Sequence, residues 1–388
     1  MRTAQDTRRY WSLLAGGGLV TAVGLAAALY MEEHGHIVTG MSNQVVWGLP
    51  HVFAIFMIVA ASGVLNVASI GSVFGQPVYK RRAPLSGLLC LALLAGGLFV
   101  LMLDLGRPDR ILVAATHYNF KSVFAWNVFL YSGMSAVVCV YLWTMFERRY
   151  NAWSKPAGIA ALLWRFVLTT GTGSIFGFLA ARQAYQSALL APLFIVLSFG
   201  WGLALFLIVQ ASMYAWNDRR LAGEILRRLA RLLGLFVGAA LYLVAVYHMT
   251  NLYWAREAGF EAFILRDGGI YPRLFWIGYV ALGAVLPLLL LLHPRGGGAR
   301  ATLTASLLVV LGAGAWLYVF IVGGQAYPLD IFPGWQAASS FGDGAVASYT
   351  PSLPEWLLGI GGAGAALLLT AIGVRLLDFM PQDDLAAH

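Results

Sequence analysis

The chain has 388 residues, 60% of them hydrophobic and 11% charged, with a mean hydropathy of +0.75 and a formal net charge of +8. No soluble domain of this length can hide so much apolar side chain, so the composition excludes a water-soluble globular protein and indicates an integral membrane protein. The positive charge is explained by its placement at helix ends, which makes membrane lipid a partner and gives no reason to expect nucleic acid.

Runs of about 20 apolar residues, the length that crosses a hydrocarbon core as helix, fall at roughly 12–31, 47–73, 86–105, 122–146, 157–182, 190–216, 232–253, 272–293, 301–323 and 354–376. These ten spans predict an all-α polytopic transmembrane helix bundle. It forms a single integral membrane domain over 1–388, with core spans over about 12–293 and an additional C-terminal pair over about 301–376. Arg2, Arg8 and Arg9 precede the first run, but no small-residue cleavage site follows it, which reads as a retained helix rather than a signal peptide. With ten spans both ends share a side. That side collects 17 of the 25 basic residues and the opposite side seven, with Arg165 left inside the fifth span. This asymmetry predicts that both termini are cytoplasmic.

In chain order, the first outer segment, EEHGHIVTGMSNQVVWGLPH, carries His34, His36, Asn43, Gln44 and Trp47 and enters the second span through Pro50 and His51. Proline suits a first helical turn, so His51 is expected at the outer membrane edge. Ala61, Gly63, Ala68 and Gly71 in the second span suit close helix contact. The cytoplasmic hairpins KRRAP, ERRYNAWSKP and NDRRLAGEILRRLARL are short and basic and read as topology anchors.

The most polar interruption between two apolar runs is LMLDLGRPDRILVAATHYNFKSVFAWNVFLY, from Leu101 to Tyr131. It gathers Asp104, Arg107, Asp109, Arg110, His117, Tyr118, Asn119 and Lys121 at one membrane edge. Carboxylate, guanidinium, imidazole and phenol groups there suit holding the oxygens of a small redox molecule while protons move. Arg107, three residues after Asp104, would keep that carboxylate ionised if the turn joins them. An ordinary connecting loop broken by Gly106 and Pro108 would carry solvated charges too, and spacing alone does not separate the two.

The fifth span holds Arg165 with Thr169, Thr170, Thr172 and Ser174 above it and Arg182 near its outer end, a set that suits a proton or water path. A snorkelling arginine is the alternative. The seventh span ends in YHMTNLYW, placing His248 and Asn251 at the same outer edge, before a loop with Glu257 and Glu261. The connection over roughly 324–353 is long enough to dock a partner or to cover helix ends. His51 and His248 are the pair that would serve a bis-His haem, but no histidine lies deep in a span. Cys90 and Cys139 are the only cysteines, too few for a cluster, and no metal site is expected.

The blocks GHIVTGMSNQVVWGLPHVFAIF, LMLDLGRPDR and THYNFKSVFAWNVFLYSG resemble the membrane-subunit family named for NrfD and for PsrC, the membrane subunit of polysulfide reductase. Across nearly the whole sequence the resemblance is closer to the longer, ten-helix branch of HybB- and DsrP-like subunits, DsrP above all. It implies a quinone- or quinol-interacting anchor of a respiratory or sulfur-metabolism electron-transfer complex in a bacterial inner membrane, not a catalyst by itself. The cofactor would be menaquinone or ubiquinone, with no haem or iron–sulfur cluster in this subunit. A periplasmic ferredoxin-like iron–sulfur subunit would sit on the outer face. In DsrP-type complexes a haem b membrane subunit, a periplasmic multihaem cytochrome and a cytoplasmic iron–sulfur subunit would join it.

In that setting His51 is expected to hydrogen-bond a quinone carbonyl, with Asp104 as the proton-relay carboxylate and Arg107 as its charge partner. Tyr118, Asn119, Trp126, Tyr131 and His248 would wall the quinone. Arg165, Thr169 and Arg182 would line a proton path. A proton-translocating transporter-like subunit, a haem b cytochrome and a purely structural anchor remain the alternatives.

Overall fold

A backbone inside hydrocarbon must satisfy its own N–H and C=O groups, and each apolar run of this protein does so as a helix. A computed structural model describes residues 6–216, 223–293, 298–329 and 344–377. Arg2, Arg219, Arg220, Arg295, His388 and the stretch 330–343 of the long connection lie outside the described residues. Among the described residues ten helices are long and apolar enough to cross a membrane. They are α1 (Asp6–His34), α2 (Leu49–Ser72), α3 (Ala83–Leu103), α4 (Val123–Phe146), α5 (Ser154–Gly177), α6 (Leu190–Trp216), α7 (Gly223–Tyr253), α8 (Ile270–Leu292), α9 (Ala299–Ala326) and α10 (Leu353–Leu376). The protein is a multi-pass, all-helical integral membrane protein.

Three boundaries differ by five residues or more from those expected, the first being that of α1, which starts at Asp6 rather than near 12. Helix α7 starts at Gly223 rather than near 232, because the stretch GEILRRLARL continues the helix and is braced by an i,i+4 pair between Glu224 and Arg228. Helix α5 stops at Gly177, so Arg182 lies in the connection after it rather than in the span.

Helix α2 is the hub, buried along nearly its whole length and packed on α3, α5, α6, α9 and α10. Its small residues make this possible: a Cβ on Gly63 would overlap the Ser198 carbonyl of α6. Helix α1 packs chiefly on α10, where Gly24 and Gly361 cross so closely that a Cβ on either would fall 2.6 Å from the other's Cα. Arg375, in the last turn of α10, lies over the rings of Tyr10 and Trp11, so the two ends of the described sequence share one edge of the bundle. The start of α2 and the end of α3 meet at the opposite edge.

Candidate functional site

The entry to α2 is fixed by a series of polar contacts from distant segments. The Leu49 N–H donates to Tyr349 Oη at 2.6 Å, and that hydroxyl donates to Glu355 Oε1, also at 2.6 Å. Glu355 is fully buried in the first turn of α10, and its Oε2 accepts from Ser352 N and Gly40 N. Gln325, at the end of α9, takes the N–H groups of Val46 and Trp47 on its Oε1, each at 3.0 Å. It donates through Nε2 to Trp47 O and Ile321 O. Trp47, held this way, lies against the His51 ring at 6.1 Å between centroids, with its other ring contacts on Phe124 and Phe176.

His51 therefore enters the edge with its position set, two residues into α2. Its Nδ1 lies 2.8 Å from Asp104 Oδ2. Asp104 caps α3, with its N–H on Val100 O, and its carboxylate is wholly shielded from solvent. The close approach to His51 lacks the alignment of a hydrogen bond, and neither Asp104 oxygen has a hydrogen-bond partner. Burying a carboxylate in this condition is costly unless something else meets it. The backbone turns sharply at Gly106, whose φ of +68° favours glycine. A Cβ there would come 3.0 Å from the His36 ring. His36, about a third exposed, donates from Nε2 to the Asp104 carbonyl at 3.2 Å, and the same nitrogen stands 4.0 Å from Oδ1.

The expected pairing of Arg107 with Asp104 is not formed. Arg107 instead binds Asp109 through both Nε and Nη2, at 3.0 and 2.9 Å, on the exposed surface. The turn at Gly106 carries the guanidinium outward, and its hydrogen bond holds the Asp109 carboxyl below the ordinary carboxylate range. Asp104's nearest ionisable neighbour is instead an imidazole from α2. Arg110, His117, Asn119 and Lys121 are exposed, and Asn119 Oδ1 closes a local turn on Lys121 N.

The other wall candidates divide. Tyr118 packs edge-on to Phe120 and Phe129, and Trp126, in the first turn of α4, donates to Phe120 O, so both build the outer surface around the start of α4. Tyr131 is buried one helical turn inside Asn127, with its hydroxyl towards Thr172. His248 belongs to a second cluster. Its Nδ1 lies 2.7 Å from Glu261 Oε2, Asn251 donates to Glu261 Oε1 at 2.8 Å, and its ring meets Phe275. Its polar partners are thus its own, separate from those of Asp104.

Arg165 does not snorkel. It is 4% exposed, donates to Asn66 Oδ1 at 2.7 Å and lies over Phe166 and Phe199, while its Nε has no hydrogen-bond partner. Thr169 Oγ1 donates to Arg165 O and Thr172 Oγ1 to Leu168 O, so both hydroxyls spend their proton on their own helix. Arg182 acts as a clamp, donating to Gln325 O at 3.0 Å and Gln44 O at 2.8 Å. Sequence reasoning leaves His36, Gln325, Asn66 and Glu261 out of the site. Of these only His36 has a usable signal, as a histidine two residues from His34 in the outer segment that leads to His51.

The arrangement offers a buried carboxylate with open acceptor capacity, an imidazole against it, and a second imidazole leading to the surface. Such a set can meet a hydroxyl or carbonyl and pass a proton outward.

Comparison with known proteins places these residues in a wider context. The family model described as "Polysulphide reductase, NrfD" matches residues 37–328. An integral membrane subunit of an Hdr-like menaquinol oxidoreductase from Archaeoglobus fulgidus is 29% identical over 97% of this sequence and 95% of its own length. The integral membrane subunit of menaquinone reductase from Nitratidesulfovibrio vulgaris is 22% identical, over 93% of this sequence and 89% of its own. The C subunit of polysulfide reductase from Wolinella succinogenes is 25% identical over 74% of this sequence and 96% of its own. The matched family stretch begins after α1 and ends before α10, and so takes in the eight helices α2 to α9.

Proposed function

The protein belongs to the polysulphide reductase NrfD family, and from that membership we propose that it is the quinone-interacting membrane subunit of an electron-transfer complex, with the quinone head group at His51 and Asp104. The observation that carries this reading is the Asp104 carboxylate, fully shielded, 2.8 Å from an imidazole and without a hydrogen-bond partner. A buried carboxylate in that state has the capacity to accept from a ring hydroxyl, and the His51 imidazole has a donor for a ring oxygen. A bound quinone supplies the two-electron, two-proton couple. Relatives named as menaquinol oxidoreductase and menaquinone reductase subunits support menaquinone as the partner of that couple.

The protein's own residues handle the protons. Asp104 takes up or gives a proton at its open oxygen, and the His51 imidazole beside it stabilises the carboxylate when ionised. His36, touching the Asp104 carbonyl and partly exposed, leads from the buried pair to water. Trp47 and Gln325 orient His51, and Tyr131 stands deeper in the bundle as a wall residue.

The outer edge is proposed to be periplasmic, on the basic-residue asymmetry, and to meet a ferredoxin-like iron–sulfur subunit in a bacterial inner membrane. A DsrP-like assembly with haem b, multihaem and cytoplasmic iron–sulfur partners is proposed on the three sequence blocks. We propose also that the eight helices α2 to α9, the stretch the family model matches, form the functional core, so that the additional pair is α1 and α10, which pack on each other, in place of the expected C-terminal pair over about 301–376. A proton path through Arg165 is a second reading, favoured by a buried guanidinium whose Nε lacks a partner.

The test is binding of a fluorescent naphthoquinol analogue to the assembled complex. The unaltered protein is expected to quench it saturably, and His51→Ala or Asp104→Asn to weaken binding about tenfold or more. Unchanged affinity in both variants would place the ring elsewhere.

A further inference from the structure

A crevice of about 1380 Å³ separates the α1/α10 pair from the α6 and α9 side of the bundle. Its lining on α10 runs from Trp356 to Arg375, about 28 Å at a rise of 1.5 Å per residue, close to the full hydrocarbon thickness of about 30 Å. Sites for small molecules are smaller, about 300–1,000 Å³. Interiors do not leave apolar voids of this size empty, because the lining atoms would lack contact partners. The crevice is partly open to its surroundings, so in a membrane its lining calls for an apolar, elongated occupant.

The crevice is not the extension of the His51 site. On α2 it is lined by Leu49, Val52, Phe53, Phe56 and Met57, the i, i+3, i+4, i+7, i+8 stripe of one helix face. His51 lies roughly 160–200° around the helix from the middle of that stripe.

Its two ends differ in charge. Among the described residues Arg375 is the only charged one in the lining. Its guanidinium lies 4.3 Å from the Tyr10 ring and 5.4 Å from that of Trp11, beside exposed Arg8 and Arg9, and it has no carboxylate within ion-pair distance among the described residues. The far end is lined by the uncharged Leu49, Pro351 and Trp356. An occupant with one anionic end and apolar length satisfies both. A quinone has an uncharged head, which would leave Arg375 unmatched.

We propose that this crevice binds an anionic phospholipid, with its phosphate on Arg375 and its acyl tails laid along α10 against Gly314 of α9. Basic residues at the mouth of a gap between membrane helices are a recognised way of holding such headgroups. A Cβ on Gly314 meets no atom within 4 Å, so the wall is open there. The lipid fills the seam between the eight-helix stretch and the pair formed by the two ends of the sequence.

The test is quantitative lipid analysis of the assembled complex purified in mild detergent, with phosphatidylglycerol, cardiolipin, phosphatidylethanolamine and quinone measured per subunit. The unaltered complex should retain about one anionic phospholipid per subunit, and Gly314→Phe should reduce it about tenfold. Arg375→Gln should keep a phospholipid but exchange it for phosphatidylethanolamine. Gly18→Phe, where the added side chain also meets open space but outside the crevice, should change nothing. If Gly314→Phe does not assemble, Leu311→Trp on the same wall serves in its place. Equal loss in Gly18→Phe and Gly314→Phe, retention of quinone in place of phospholipid, absence of anionic lipid, or a cross-link from position 314 to another subunit would each overturn the proposal.

Discussion

His51 and Asp104 stand 2.8 Å apart although they enter from different helices, and the contact closes only because each is anchored from elsewhere. On the His51 side the anchors are the Leu49–Tyr349–Glu355 series and the Gln325 clamp on Trp47. On the Asp104 side they are the cap of α3 and the tight turn at Gly106.

Arg107 should therefore matter little to electron transfer. It is paired with Asp109 in the open, and exposed pairs contribute little. Arg107→Ala is expected to leave quinol-dependent turnover within about threefold of normal, whereas His36→Ala, which removes the group between Asp104 and water, should slow it by about tenfold or more. Turnover in membranes, normalised to assembled complex, distinguishes the two. An Arg107→Ala defect larger than that of His36→Ala would refute the exit route through His36.

Gln325 is expected to be a positioning residue. Gln325→Leu strands the N–H groups of Val46 and Trp47 and the Trp47 carbonyl, at a cost of about 1–3 kcal/mol for each buried group left unpaired. Thermal stability of the purified subunit should fall measurably. Gln325→Glu, which keeps the acceptor, should recover part of the loss. Unaltered melting of Gln325→Leu would show that the clamp carries no load.

Arg165 sits in the hydrogen-bonded company of Asn66 and the Ser62 carbonyl. Arg165→Leu removes the charge together with its burial penalty but leaves Asn66 Oδ1 unpaired, so a modest net loss of stability is expected. Arg165→Gln should preserve electron transfer within about threefold and lower only the protons moved per electron, if the path exists. Proton release from sealed vesicles, measured beside turnover, reports both. Loss of electron transfer with normal proton stoichiometry would assign Arg165 to the redox site instead.

Reporter fusions after Lys155 and Arg295 should read cytoplasmic and those near Asp109 and Ala337 periplasmic, from the distribution of basic residues. The purified subunit should contain neither haem nor iron. A Soret band in the subunit alone would promote the histidines to ligands, beginning with His51 and His248.

How much of the fold and site is legible in the sequence follows from range. Hydropathy acts locally, so the ten spans can be read directly, and Pro50 places His51 at a helix start. Asp104 and Arg107 are visible as polar residues at an apolar edge, but their pairing depends on the turn between them. Gly106 at positive φ sends the arginine to Asp109 instead. Gln325 reaches Val46 and Trp47 across nearly 280 residues, and Arg182 joins Gln44 to Gln325 across two connections. Nothing in composition or period encodes such contacts. Helix α7 begins earlier than its hydropathy indicates, because a basic stretch looks like a loop until Glu224 and Arg228 are seen one turn apart.

The most direct test of the account is quinol-dependent reduction of the partner iron–sulfur clusters in membranes carrying His51→Ala, Asp104→Ala or Arg165→Gln, normalised to assembled complex. With the head group at His51 and Asp104, the first two variants should lose about 10²-fold or more, the scale of a missing acid–base group, while Arg165→Gln stays near normal. Near-normal rates in both His51→Ala and Asp104→Ala, with Arg165→Gln abolished, would contradict it and move the site to the other half of the membrane.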